Sequence, residues 1–394
     1  MDICIRWIQD DAKTVELPSA KTCPDAFRRW KHVKLWLRFA LHSWQMKNLT
    51  APSSKEETSE STTTPDAVRE VYEPLQVLGK GAFGVVVLSR KASTNDLVAI
   101  KSIDKSKVCP EEAARLMTEC EILRRTNHPF VIHLERAFES PTHYHFVLEY
   151  CPGGDLYGLL EERHHLEVPL VLFYTASIVS ALLYMHQVCG ICYRDLKPEN
   201  ILLDAKGFVR LTDFGLARQD MHADTTTFSF CGSVDYMAPE VILGCGYGQA
   251  ADVWSLGCVV YEMLTGLPPF YTTQGRRVLF DRICRGHVDY PDNLPSDACS
   301  FIARCLQLDP TKRGTIEDLL DHPFLDSVDW YQLAIQQVPV PYVPSLDSMD
   351  DTHHFDNQFT SEPPPVDKLV DTVSPFGTFD WSRPSPVVTS STAV

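Results

Sequence analysis

From Tyr72 to about Phe324 the chain alternates apolar and polar positions as a folded domain does. Short apolar runs come first. "LQVLGKGAFGVVVLS" and "LVAIKSI" are rich in β-branched residues, which pack well on a pleated surface, and they read as strands. "PEEAARLMTECEILRRT" reads as a helix opening at Pro110, because a first-turn proline forfeits no helical hydrogen bond. "PLVLFYTASIVSALLYMHQ" and "DVWSLGCVVYEMLTG" are too long for strands and read as helices. Strands first and helices afterwards predict an α+β architecture: a small β-rich lobe with one main helix, then a larger helical lobe.

The flanks differ in texture. Residues 27–47, "FRRWKHVKLWLRFALHSWQMK", carry six basic residues, five aromatics and no acid. At about 100° per residue, Trp30, Val33, Leu37, Ala40, Leu41 and Trp44 share one face, opposite Lys31, Lys34, Arg38, His42 and Gln45. Such a basic amphipathic helix suits a membrane surface or calmodulin, and equally a helix packed on the domain that follows. Residues 50–66 are polar and read as a disordered linker. The expected organisation is an N-terminal extension at 1–50, a linker at 51–71, a folded domain at 72–324 and a C-terminal extension at 325–394. That last part is rich in Pro and Asp, yet near its end stands the aromatic cluster "SPFGTFDW".

Composition narrows the classes. With 44% hydrophobic and 22% charged residues the chain is of ordinary globular type. Its net charge of −16 argues against a general nucleic-acid binder. Part of that charge is local, since residues 345–380 hold eight acids and one base, Lys368. No apolar run is long enough to predict a membrane span, and the N-terminus does not read as a secretion signal. Thirteen scattered cysteines point to free thiols in a reducing compartment; Cys189 and Cys192 form a CxxC without a second pair at zinc spacing. The expected setting is intracellular: cytoplasmic, with nuclear or peripheral membrane association as alternatives.

Two stretches carry chemistry. "GKGAFGVV" places Gly79, Gly81 and Gly84 between two strands, where the absent Cβ atoms let backbone amides approach phosphates. A dinucleotide loop would open a helix instead. Lys101, in "VAIK", suits phosphate oxygens, and Glu119 in the next helix can hold its ammonium. "YRDLKPEN" then brings Asp195, Lys197 and Asn200, followed by Asp213 in "DFG" and Glu240 in "APE". Moving a γ-phosphoryl group needs positioning and charge neutralisation. Asp195 would orient an acceptor hydroxyl and take its proton, while Lys197 offsets charge on the moving group. Asn200 and Asp213 would bind Mg²⁺, a hard cation that prefers oxygen ligands.

Together these motifs resemble the eukaryotic protein kinases, in order and at the usual spacing over 72–324. "DLKPEN" and "GSVDYMAPE" are similar to Ser/Thr rather than Tyr kinases. "YRD", "SFCGSVDYMAPE" and the tail resemble the AGC group, especially its S6-kinase-like and Akt-like members. The resemblance implies a bilobal fold whose tail wraps both lobes, with Mg-ATP as phosphoryl donor and protein substrates. It assigns ATP binding to Leu78, Gly79, Lys80, Gly81, Ala82, Phe83, Gly84, Val85 and Val86 of the glycine loop. To these it adds Lys101, Glu119, Glu149, Cys151 and, from the tail segment "HFDNQFT", Phe355. Asp155, Glu199 and Glu262 match acids that face substrate arginines. Ser229 matches the activation-segment phosphorylation site, with Arg115, Arg194 and Arg218 converging on the phosphate and Thr225, Thr226 and Thr227 in poorer register. The expected partner there is an upstream phosphoinositide-dependent-type kinase.

In the tail, "VPVPYVP" resembles the group's PxxP segment. "FGTFDW" resembles its hydrophobic motif, so Phe376, Phe379 and Trp381 should be buried in a groove beside the helix bearing Glu119. Two departures stand out. Pro364 and Lys368 occupy positions where phosphorylatable turn-motif residues are expected, and Asp380 stands where relatives carry a phosphorylated Ser or Thr. Tail phosphorylation is therefore not expected, and Asp380 should substitute for it. A nucleotide-binding scaffold without transferase activity is the rival reading, but Lys101, Asp195 and Asp213 are all retained.

Overall fold

A computed structural model describes residues 68–81, 84–222, 225–372 and 379–383. The proposed helix at 27–47, the linker up to residue 67, and Ala82, Phe83 and Phe376 lie outside the described residues.

The small lobe is one antiparallel sheet in the order β8-β1-β2-β3-β5-β4-β9. Its domain strands are β1 Val68–Lys80, β2 Gly84–Lys91, β3 Leu97–Asp104, β4 Leu134–Glu139 and β5 His143–Glu149. Alternation along β3 buries Val98 and Ile100 beside Phe138 and Val147, while Tyr72 stacks on Phe138 with ring centroids 6.2 Å apart. The close approach of β3 to the start of β2 requires glycine at 84, where a Cβ would lie 2.1 Å from the Ser102 carbonyl oxygen. Helix α1, Pro110–Arg125, starts at the predicted proline and buries Glu119, Cys120, Ile122 and Leu123.

The large lobe is helical around α3, Val168–Tyr184, which follows α2, Leu156–Arg163. With the π-turn after it, α3 is long and apolar enough to cross a membrane, but 83% of its most apolar window is buried in the protein. It is the lobe's core. Between α3 and α4, Pro239–Leu243, the two-stranded sheet β6 Ile201–Leu203 and β7 Val209–Leu211 is flanked by the segments bearing Asp195 to Asn200 and Asp213. Cys189 and Cys192 are separate free thiols.

Helix α5, Ala250–Thr265, ends at Gly266 with φ 89, a left-handed cap that glycine adopts without Cβ strain. Beneath it Arg313 is fully buried, donating to Glu240 at 2.7 and 3.0 Å and to the carbonyls of Ala250 and Gln307. Each guanidinium nitrogen has an acceptor, so the pair tolerates its burial.

The tail makes two strands that the sequence pattern did not predict, β8 Leu369–Thr372 and β9 Trp381–Ser382. β8 pairs with the start of β1 and β9 with β4, so the tail occupies both edges of the small-lobe sheet. This corrects the expected linker boundary. Strand β1 begins at Val68, not after residue 71, because Val68–Val71 find their ladder partners in the tail, about three hundred positions away, whereas Tyr72 also pairs with Lys91 of β2. Earlier in the tail, Tyr342 lies under the Arg163 guanidinium at 4.4 Å. Phe355 stacks on Tyr150 at the junction of the lobes, at 6.0 Å.

Removing one partner of the buried Arg313–Glu240 pair strands the other's charge. Arg313→Met should cost about 3–5 kcal/mol, read as a lowered Tm in thermal unfolding; an unchanged Tm would show the pair to be dispensable.

Candidate active site

The loop bearing Asp195 is shaped by a buried carboxylate. Asp252 of α5 accepts hydrogen bonds from the backbone N–H groups of Tyr193 (2.8 Å) and Arg194 (2.7 Å), and pairs with His186 Nε2 at 2.7 Å. Burial opposes its charge, but the His186 contact and the two amides hold its pKa below the ordinary value. This grip stabilises Arg194 at φ 70, a left-handed conformation costly to a residue with a side chain. Arg194 in turn donates from Nε to the Leu216 carbonyl at 2.6 Å.

The loop presents Asp195 with both oxygens committed. Oδ1 accepts from the Ser233 N–H and hydroxyl, each at 3.0 Å; Oδ2 accepts from Asn200 Nδ2 at 2.9 Å and lies 3.2 Å from Lys197 Nζ. Lys197 also donates to Ser233 Oγ at 2.9 Å. Ser233 thus couples the segment after Ser229 to the loop bearing Asp195.

Across the cleft, Lys101 Nζ donates to Glu119 Oε1 at 2.7 Å and lies 3.5 Å from Asp213 Oδ1. Burial works against the ammonium, but the two carboxylates outweigh it and hold its pKa above the ordinary value. Lys101 correspondingly pulls Asp213 below the usual carboxylate range, against the partial loss of water around it. Asp213 has φ 54 and stands half exposed at the cleft.

The glycine loop fits a phosphate. A Cβ at Gly79 or Gly81 would meet no atom within 4 Å, so both face open space, and the loop is closed by Gly81 N–H to the Gly84 carbonyl at 2.9 Å. Leu78 is buried, Val86 sits opposite Lys101 in the β2–β3 register, and Val85 opposite Ser102. Lys80 instead turns to the tail and pairs with Glu362. At the inter-lobe junction the Glu149 carboxylate is engaged by the His133 N–H at 2.7 Å and Arg210 at 3.3 Å. Cys151 is buried, and burial pushes its thiol pKa well up. Both would therefore meet a ligand through their backbone. Phe355 reaches this junction, and the Tyr150 hydroxyl donates to the Asp351 carbonyl at 2.5 Å.

The donor set fits Mg²⁺. Asn200 spends its Nδ2 on Asp195, at the backbone carbonyl and Oδ2, which leaves its side-chain carbonyl oxygen as a donor for a cation. Among the described residues no cluster of three or more His, Cys, Asp or Glu gathers. A cation held by Asn200 and Asp213 would complete its shell with water and phosphate oxygens, as Mg²⁺ commonly does.

Ser229 is exposed and lines a cavity of about 310 Å³ together with Arg115, Arg194 and Arg218. Thr227 is buried, accepts from Arg218 Nη1 and lies 3.2 Å from Ser229 Oγ. Its hydroxyl is closed off, whereas that of Ser229 is presented. Among the substrate-facing acids, Glu262 is buried and accepts from the Tyr236 hydroxyl at 2.7 Å, and Glu199 is exposed. Asp155 caps α2 by accepting from the Gly158 N–H at 2.8 Å, a structural role that its sequence position did not reveal. In the tail, Phe379 is buried against Tyr144 and Phe146, both at 5.1 Å, and Trp381 lies over Arg124 of α1 at 5.8 Å. Asp380 pairs with Arg69 at 2.7 Å and with Arg136.

Sequence reasoning missed Ser233, Asp252 and His186. Ser233 lies in a quoted segment, and its spacing gave no hint that it would cross to Asp195.

Residues 72–325 match the protein kinase domain family. The chain is 40% identical over 311 residues to the RAC serine/threonine-protein kinase of Drosophila melanogaster, covering 77% of this chain and 51% of that protein. It is 38% identical over 307 residues to the serine/threonine-protein kinase Sgk2 of Rattus norvegicus, covering 76% and 83%. Over 304 residues it is 38% identical to the serine/threonine-protein kinase YPK1 of Saccharomyces cerevisiae, covering 76% and 44%. The chain thus belongs to the protein kinase domain family, within the AGC group that its motifs resemble. It spans about half the length of several of the curated relatives it matches.

Ser233→Ala removes one charge-assisted hydrogen bond to Asp195 while the backbone N–H remains. A loss of about 1.5–3 kcal/mol corresponds to a kcat lowered by roughly 10–100-fold. Steady-state kinetics should show this with the KM for ATP little changed; an unaltered kcat would remove Ser233 from the assembly.

Proposed function

We propose that this protein is a Ser/Thr protein kinase that transfers the γ-phosphoryl group of ATP to Ser or Thr hydroxyls of protein substrates. The observation that carries the reading is the convergence of Lys101–Glu119, Asp213, Asn200 and a fully oriented Asp195 on one cleft. The substrate hydroxyl oxygen attacks the γ-phosphorus, its proton passes to Asp195, and the bond to the β-phosphate oxygen breaks to release ADP. Lys101, held by Glu119, meets the phosphates, and Lys197 offsets charge near the acceptor. Mg²⁺, held by Asn200 and Asp213, would supply neutralisation of phosphate charge. The test is phosphate transfer from ATP to a Ser/Thr peptide library by the purified protein, with Asp195→Asn as the inactive control.

Activation is proposed to follow phosphorylation of Ser229 by an upstream phosphoinositide-dependent-type kinase. A dianion there would meet Arg115 of the small lobe and Arg194 and Arg218 of the large one, joining the lobes by charge-assisted bonds. Ser229→Ala should lower kcat/KM at least about tenfold, given roughly 1.5 kcal/mol or more per such bond; full activity in that variant would exclude the assignment. Asp380, already ion-paired, supports a tail that needs no phosphate of its own.

Substrates are proposed to carry Arg two and three residues before the acceptor. Glu199 and Glu262 are the main candidates to meet them, with Asp155 weaker because it also caps α2. Burial, reinforced by Glu199, pushes Glu262 up to about 7 and Asp155 up to about 6. Acids with raised pKa are neutral below it and charged above it, so attraction for arginine should grow between about pH 6 and 8. The ratio of kcat/KM for an Arg peptide over its Ala counterpart should rise severalfold across that range. A flat ratio would take these carboxylates out of recognition.

A further inference from the structure

We infer that Arg136 is a positioning residue: a single guanidinium that clasps both tail strands to the small-lobe sheet and thereby seats Phe379 under the phosphate-binding lysine. Arg136 stands on β4 and is 7% exposed. Its Nε donates to Asp371 Oδ2 at 2.7 Å and its Nη2 to Asp371 Oδ1 at 3.2 Å, a planar fork on a carboxylate that is itself 1% exposed. Nη1 donates to Ser382 Oγ at 2.6 Å, and Nη2 also pairs with Asp380. Asp371 belongs to β8 and Ser382 to β9, which lie at opposite ends of the sheet order. One side chain therefore spans the curled sheet and ties its two edge strands together.

The clasp has a direct line to the site. Phe379, next to Asp380, meets the Phe146 ring edge-on at 5.1 Å and 87°. Phe146 pairs with Lys101 in the β3–β5 register, and Lys101 Nζ lies 5.8 Å from the Phe146 ring centroid. Releasing the tail strands would withdraw Phe379 and leave the floor under Phe146 open. The partners of Arg136 are carboxylates and a hydroxyl, so the clasp is complete without tail phosphorylation. Lysine cannot replace it, since one ammonium does not reproduce a three-nitrogen fork.

The reading of Lys101 as a phosphate ligand rests on the proposed transferase function, so the test uses readouts that do not require turnover. In the full chain, Arg136→Met, Arg136→Lys and Asp371→Asn are compared with the parent for amide hydrogen exchange and for Mg-ATP affinity by calorimetry. Arg136→Met should raise exchange at 369–372 and 379–383 at least tenfold and weaken ATP binding severalfold, with exchange in α5 unchanged. Arg136→Lys should recover only part of both, and phosphatase treatment of the parent should leave tail exchange as it was. Unchanged tail exchange in Arg136→Met overturns the clasp, and raised exchange with unchanged ATP affinity overturns the positioning role. Tail protection lost on phosphatase treatment would equally overturn it. Should Arg136→Met fail to fold, Asp371→Asn decides by the same two readouts. An absence of phosphoryl transfer in the parent would count against the proposed function and leave the exchange result standing.

Discussion

The ammonium of Lys101 lies where β3, α1 and the segment after β7 meet, and the rest of the site is arranged around keeping it there. Desolvating a lysine is costly unless carboxylates compensate, and Glu119 and Asp213 do so from two different lobes. The contact to Glu119 fixes the helix against the sheet. The longer contact ties the small lobe to Asp213, itself a proposed cation ligand. A shift of α1 by one side-chain length would leave a buried charge unpaired, so the lysine senses whether the cleft is assembled.

On the large-lobe side an analogous constraint acts through Asp252. Its carboxylate fixes two consecutive backbone amides and so holds Arg194 in a conformation that a free chain would avoid. Asp195 inherits its position from that strain, and Ser233 and Asn200 then set the direction of its oxygens. The cavity containing Ser229 is lined by the same Arg194, the residue next to the proposed catalytic base, so the proposed modification site shares a wall with that loop.

The tail answers a problem of small sheets, whose edges expose unpaired backbone groups. Here β8 and β9 cover both edges, and Phe379 fills the space beneath β5. Phe379, an aromatic in an otherwise polar and acidic segment, is accounted for by that burial, and Asp371 and Asp380 by the basic residues they meet on β1 and β4.

Much of the fold and site could be read in the sequence because the information is local. The Pro110 helix start, the β-branched runs and the glycine loop are each decided within a few residues by backbone sterics. The residues proposed for phosphoryl transfer fall in short segments whose spacing reflects one loop each, and the resemblance of "FGTFDW" to a docking motif anticipated a buried Phe379. What only the tertiary structure decided involves groups far apart in the chain. Arg136 and Asp371 are 235 positions apart, and no periodicity marks either as a partner of the other. Val68–Val71 read as linker because their strand partner is supplied by the tail. Asp252 sits in an apolar helix where its sequence context names no ligand, and Thr227 and Ser229 differ only in which hydroxyl the packing buries. A buried charge takes its role from the groups that replace water around it, and folding alone brings those groups together.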